Sequence, residues 1–210
     1  MKTLTKQLQD QISPDMALTL LQDGNKRFMQ NLKANRNLLQ QANETSNGQH
    51  PFAVILSCID SRTSAEIIFD QGLGDIFSIR IAGNIINEDI LGSMEYACKV
   101  AGSKIIAVLG HSQCGAIKGA CDHIEMGNLT VLLSKIRPAI DDESTITAQR
   151  NSSNNDFVEK VTLINVKRTM KSIIERSPIL KEMLLNHEIK LVGGIHQLST
   201  GEVTFCEHSF

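Results

Sequence analysis

The sequence predicts an α/β fold: a mostly parallel central β-sheet flanked by helices, with an N-terminal helical arm. Three observations predict it. Apolar, β-branched runs at 52–57, 76–81 and 105–109 read as buried strands. Segments of helical periodicity separate them, and such alternation builds a parallel sheet covered on both faces. With 210 residues, 41% of them hydrophobic and 21% charged, the chain has material for one sizeable core. We read 1–210 as a single domain, with the arm and a connection over 1–48 and the α/β core over 49–210.

The elements follow in order. Ser13 is placed to cap a helix that Pro14 opens, and apolar residues at Met16, Leu18, Leu20, Leu21 and Phe28 make it loosely amphipathic over 14–30. The polar stretch "LKANRNLLQQANETSNGQH" reads as a surface connection to the first strand, 52–57. "GLGD" is a turn before the second strand, 76–81. Ile90, Met94, Ala97, Cys98 and Ala101 fall at helical spacing, so their helix should pack one face on the sheet. A third strand at 105–109 runs through a glycine turn into a helix starting near Cys114. "NLTVLLSKIRPAI" is helical, ended or kinked near Pro138. The polar segment 141–156 is loop-like, a long helix covers 156–175, and a shorter one follows Pro178. "IKLVGGIHQLSTGEVTFCEHSF" closes the chain as two strands joined by a turn at Thr200 and Gly201.

Composition excludes several function classes. A formal net charge of −2 offers no basic footprint for nucleic acid. One Tyr, no Trp and seven Phe supply no stacking surface for single strands. No apolar run reaches the roughly 20 residues that span a bilayer, and the polar first dozen residues do not resemble a secretion signal. The expected location is cytoplasmic. Five cysteines in a reducing compartment pose one question: which thiols bind metal or react.

"FAVILSCIDSRTSAE" answers part of it. A buried strand ends in Cys58, Asp60 and Arg62 on alternate positions, where ligands gather in parallel sheets. The third strand ends in His111 and Cys114, spaced His-x-x-Cys across a strand end and a helix start. Two thiolates and an imidazole suit zinc, and three protein ligands leave a tetrahedral ion one open position. Taken singly, a cysteine at a strand end is usually a small buried hydrophobe and a histidine beside glycine a turn residue. Their convergence, with a carboxylate and a guanidinium between them, favours a metal site. Cys98 and Cys121 read as core, and Cys206 has only His208 at ligand spacing. A phosphatase loop would need Arg at position 64, which is Ser; no Cys-x-x-Cys pair exists, and "GHSQCGAIKG" is not a phosphate-binding loop.

"SCIDSR" followed some way on by "GHSQCGAIKG", with "RIAGN" and "GSMEYACKVAGSK", resembles the β-class carbonic anhydrases over nearly the whole chain. The resemblance implies one zinc ion per subunit on Cys58, His111 and Cys114, and a reversible hydration of CO2 to bicarbonate by zinc-activated hydroxide. It implies that Arg62 holds Asp60 while Asp60 orients the activated water, and that Asp60 is a possible fourth zinc ligand in a closed state. It places Gln49 as a hydrogen-bond donor to CO2 or bicarbonate, with Phe77, Ala82 and Tyr96 along the pocket wall and Gly115 close to the water. It also implies a homodimer or homotetramer with embracing N-terminal helices. An inhibitory bicarbonate site found in part of the family needs a Trp, an Arg and a Tyr. Ile55, Arg80 and His196 stand at those positions, so an open zinc without that switch is expected. His50 is the histidine nearest in sequence to Gln49, but sequence does not make it a proton shuttle. A CS2 or COS hydrolase on the same scaffold, and a non-catalytic zinc-stabilised binding protein, remain alternatives.

Overall fold

The structure, a computed structural model, describes residues 3–207; His208 lies outside them. Five strands form one sheet in the order β2-β1-β3-β4-β5: β1 (Ala53–Ser57), β2 (Ile76–Arg80), β3 (Ile105–His111), β4 (Lys190–His196) and β5 (Val203–Glu207). The first four are parallel and β5 runs antiparallel to β4. The chain passes from β1 to β2 on one side and returns to β3 on the other. The resulting switch point between β1 and β3 is where a parallel sheet opens a crevice at its carboxyl edge.

Side-chain alternation divides the core. Val54, Leu56, Ile106, Val108 and Leu191 face α5 (Glu88–Glu95), α9 (Asn155–Arg176) and α10 (Pro178–Leu185). Ala53, Ile55, Ala107, Leu109 and Val192 face α2 (Pro14–Met29) and α4 (Ala65–Ile68). A third apolar cluster lies beyond the strand ends. Cys58, Cys114, Cys121, Ile117 and Ile136 meet Phe157 and Val161 there, around α6 (Gly115–Cys121), α7 (Gly127–Ser134) and α8 (Arg137–Asp142). The two zinc-candidate cysteines therefore sit in a small hydrophobic vault at the carboxyl edge. Among the described residues, no helix is long and apolar enough to cross a membrane.

Ser13 caps α2 by accepting from the Met16 N–H, and Pro14 occupies its first turn. Asn154 caps α9 in the same way. The helical segment breaks near Pro138, as expected: the break falls at 135–136, and the proline sits in the first turn of α8, where its missing N–H leaves no helical bond unmade.

Two short helices in the 1–48 segment depart from the sequence reading, α1 (Lys6–Gln11) and α3 (Leu38–Glu44). Each is anchored by a buried amide rather than an apolar stripe. Gln9 is fully buried, and its Nε2 donates to Pro51 O and Ala101 O, both at 2.8 Å. Gln41 accepts from the Leu73 N–H. The segment expected to be only a connection is thus partly helical, and α2 lies on its own sheet. Gln9→Ala should cost about 1–2 kcal/mol, because it removes both bonds and takes this donor from the half-buried Ala101 carbonyl, while Pro51 O keeps the Ser103 hydroxyl at 2.9 Å. Urea unfolding checks this, and an unchanged midpoint would contradict it.

Beyond α5 the helix continues into a π-helical turn, Tyr96–Val100. It keeps Ala97 and Cys98 buried while Tyr96 turns outward, 56% exposed.

Candidate metal centre

Cys58 follows the last residue of β1 directly, and His111 is the last residue of β3. Ser57 pairs with Leu109, so the two ligands emerge side by side from adjacent parallel strands. After β3 the chain turns through Gln113, at φ 57°, and Cys114 becomes the N-cap residue of α6. This strand–turn–helix brings Cys114 back over the strand end. The ligand atoms of Cys58, His111 and Cys114 lie within 4.8 Å of one another, and all three residues are buried.

The donor set fits a zinc ion. The sulfurs are 3.9 Å apart, close to the ~3.8 Å spanned by two Zn–S bonds of about 2.3 Å at a tetrahedral angle. His111 Nδ1 is 2.9 Å from Ser112 O, and that bond makes Nδ1 the protonated nitrogen. Nε2 then carries the free lone pair, buried and with no partner among the described residues. A buried imidazole nitrogen without a bond is costly, and a metal would satisfy it.

The two thiols are pushed apart in acidity. The contact with Cys114 lowers Cys58 well below the usual thiol range, against the cost of burial, with help from His111 and the Gly83 N–H. The same contact, together with burial, raises Cys114, although the amides of Ile117 and Ala116 at the start of α6 pull the other way. One sulfur of the pair is thus poised as a thiolate, the form that ligates metal. The core thiols differ: burial alone pushes Cys98 up to about 12, and burial leads the rise of Cys121 to about 11.

Asp60 and Arg62 project from the loop after Cys58. Arg62 Nε donates to Asp60 Oδ1 at 2.9 Å and its Nη2 to Oδ2 at 2.8 Å, a fork matched to a carboxylate. The Arg62 backbone N–H adds a third bond, to Oδ1 at 3.0 Å. Arg62 therefore holds the Asp60 carboxyl well below the usual range, more than offsetting its partial burial. Thr63 closes the loop by donating to the carbonyls of Asp60 and Cys58. Arg80 clasps the same backbone from β2, bonding Cys58 O at 3.0 Å and also Asp60 O.

The pocket residues do not all meet here. Ala82 adjoins Gly83, whose N–H lies 3.4 Å from Cys58 Sγ. Gly115 follows Cys114 and borders open space. Phe77, however, pairs with Val54, four residues before Cys58, a separation of roughly 13 Å along the strand. Tyr96 packs edge-on against Phe77, with ring centroids 6.3 Å apart. Gln49 and His50 precede β1 at the amino edge of the sheet, a full strand length from Cys58. Within one chain, Gln49, Phe77 and Tyr96 are remote from the metal cluster.

Ile55 is fully buried in the α2-side core. His196 lies opposite His111 on β4, buried, near the Phe28 ring, with neither ring nitrogen partnered among the described residues. Burial first, and then His111, depress its pKa from 6.5 to about 4. A base so depressed stays neutral in the native state while the unfolded chain takes up a proton. Stability is therefore lost as pH falls through the window from 6.5 to about 4, by up to ~3 kcal/mol. His196→Leu should lose less stability than the parent over that window in urea melts; parallel curves would refute the assignment.

Sequence reasoning missed Gly83 and the residue behind it. Asn165 on α9 is 3% exposed and donates from Nδ2 to Gly83 O at 2.8 Å. Its signal was available: a polar residue on the face that carries Val158, Val161, Val166 and Thr169 into the core.

Comparison with known proteins agrees with this geometry. The family model described as carbonic anhydrase matches residues 53–203. The chain is 33% identical over 202 residues to a protein named carbonic anhydrase 2 from Mycobacterium tuberculosis, covering 93% of this chain and 94% of the relative. It is also 33% identical to a carbonic anhydrase of Mycolicibacterium smegmatis, with 93% and 95% covered. The β-carbonic anhydrase CcaA superposes with a TM-score of 0.70 at 28% identity, over 80% of this chain and 84% of the other. A tetrameric β-carbonic anhydrase from Sordaria macrospora shares the fold, with a TM-score of 0.71 at 23% identity over 80% of this chain and 87% of the other. With motif, sheet and relatives in agreement, the chain belongs to the β-carbonic anhydrase family.

Proposed function

We propose that the chain hydrates CO2 reversibly at one zinc ion held by Cys58, His111 and Cys114, with Asp60 and Arg62 as the catalytic pair. CO2 hydration is the general reaction of the family. The observation that carries the residue assignment is the buried cluster of three ligand atoms beside a carboxylate held by bidentate bonds.

When bound, zinc supplies Lewis-acid activation of a water in its open position. The chain's own residues do the rest. Asp60, ionised and therefore only an acceptor, takes a hydrogen bond from the attacking water and aims its lone pair at the CO2 carbon. Arg62 fixes both carboxylate oxygens, so Asp60 can neither rotate away nor pick up the proton. The vault of Ile117, Ile136, Phe157 and Val161 behind the cysteines keeps bulk water off the sulfurs. Because both Asp60 oxygens are committed to Arg62, the resting site is open. With Ile55 and His196 at two switch positions, and Arg80 committed to backbone carbonyls, no inhibitory bicarbonate is held. A crystal structure near neutral pH with Asp60 on zinc would overturn this.

The position of Gln49, Phe77 and Tyr96 supports a homodimer or homotetramer. A second copy would bring their amino-edge surface to the metal, where Gln49 donates to a CO2 or bicarbonate oxygen beside Ala82 and Gly115. Residues 1–210 then act as one catalytic domain per subunit. Five unpaired thiols suit a reducing, cytoplasmic setting. Metal analysis combined with stopped-flow CO2 hydration tests the proposal. One zinc per chain and chelator-sensitive turnover are expected. Zinc without turnover would instead make this a metal-stabilised binding protein, and turnover of COS or CS2 alone would reassign the substrate.

A further inference from the structure

The sulfur of Cys58 is served by a backbone turn that α9 holds from behind. That turn, Ala82–Asn84, begins where the Ile81 N–H bonds Ser57 O at 3.0 Å, tying it to the end of β1. Gly83 sits at φ 69°, ψ 18°, in the left-handed region that favours glycine. A Cβ there would also meet Ile136 Cδ1 at 2.6 Å. In this conformation its N–H points at Cys58 Sγ and its carbonyl at Asn165 Nδ2. One helical turn on, Thr169 Oγ1 donates to the next carbonyl, Asn84 O, at 3.3 Å. Residues four apart on one face of α9 thus grip successive carbonyls of the turn.

We propose that Asn165 is a positioning residue for the metal centre: it holds the Gly83 turn so that the Gly83 N–H stays on the Cys58 sulfur. This rests on Cys58 being a zinc ligand. An N–H donated to a thiolate is a charge-assisted bond that stabilises the ionised sulfur and tempers its donation to the metal. A buried amide is costly unless bonded, so its placement on the buried face of α9 calls for the partner it has. Without Asn165 the Gly83 carbonyl has lost its donor, the turn can relax, and the sulfur loses its amide.

The test is zinc affinity by chelator competition, together with the thiolate-to-cobalt charge-transfer band of the Co(II)-loaded protein. Asn165→Ala should weaken zinc binding about 10-fold or more and shift the band. Ile173→Ala, equally buried on α9 but away from the turn, should lower stability and leave both readouts in place. If Asn165→Ala does not fold, Asn165→Leu keeps the volume, removes the donor and is read by the same criteria. Affinity and band unchanged in an Asn165 variant, with the parent binding zinc, overturn the relay alone. A parent that takes up no zinc overturns both the relay and the metal assignment.

Discussion

Asp60→Asn is expected to lower kcat/KM for CO2 hydration by about 10²–10³-fold while the protein keeps one zinc per chain. The substitution preserves shape but turns an acceptor-only group into one that also donates. Arg62 offers two N–H donors to two carboxylate oxygens, and an amide can accept only one of them. The other half of the amide is then an N–H2 facing the guanidinium or the attacking water, and either arrangement misdirects the lone pair. Stability should barely move, because the side chain of Arg62 is 57% exposed and that of Asp60 16%, a setting where an ion pair contributes little. This separates the catalytic reading from an ordinary salt bridge at a strand end. A variant within threefold of the parent in turnover, or one that loses stability and zinc together with activity, would sink it. Arg62 holds the Asp60 carboxyl well below its usual range, so Asp60 should not set the pH profile of the parent near neutrality.

Much of this site could be read from letters because strand ends in a parallel sheet are readable. Cys58 and His111 each close an apolar run, and adjacent apolar runs of similar length end at the same edge. Cys98 and Cys121 were legible as core because helical spacing places them on an apolar face, and both are buried. What escaped was held by polar atoms. Helices α1 and α3 are short and polar, so neither hydrophobic periodicity nor composition marks them. Gln9 and Gln41 fasten them through backbone groups distant in sequence, at Pro51, Ala101 and Leu73. The π-helical turn at Tyr96–Val100 has a similar cause: its i+5 bonds leave the apolar spacing of a helix almost intact. Asn165 differs in part: it stands out as a polar residue on a buried helix face, but its bond to Gly83, 82 residues away in sequence, has no local signature. Gln49, Phe77 and Tyr96 came from family resemblance alone. Their place at the far edge of the sheet shows why spacing could not supply them: they share no strand end with the metal ligands.

Cys58→Ser should abolish stoichiometric zinc binding and leave no CO2 hydration above background, whereas Cys98→Ser and Cys121→Ser should keep both. All three thiols are buried to a similar degree, so burial does not predict the difference; acidity and neighbours do. Cys58 is lowered by Cys114, His111 and the Gly83 N–H, while burial pushes Cys98 and Cys121 up to about 12 and 11. A serine hydroxyl at 58 can still accept the Gly83 N–H, so the metal-free fold should persist. It does not ionise near neutral pH, and the ion is left with two ligands. The thermal readout follows by mass action. Zinc at a thousandfold excess over its Kd stabilises a protein by about 4 kcal/mol, so the parent should gain several degrees in Tm on zinc addition and Cys58→Ser should gain none. Zinc retained by Cys58→Ser would remove Cys58 from the ligand set. Zinc lost equally from Cys121→Ser would mean that the vault, rather than the Cys58–His111–Cys114 cluster, governs binding.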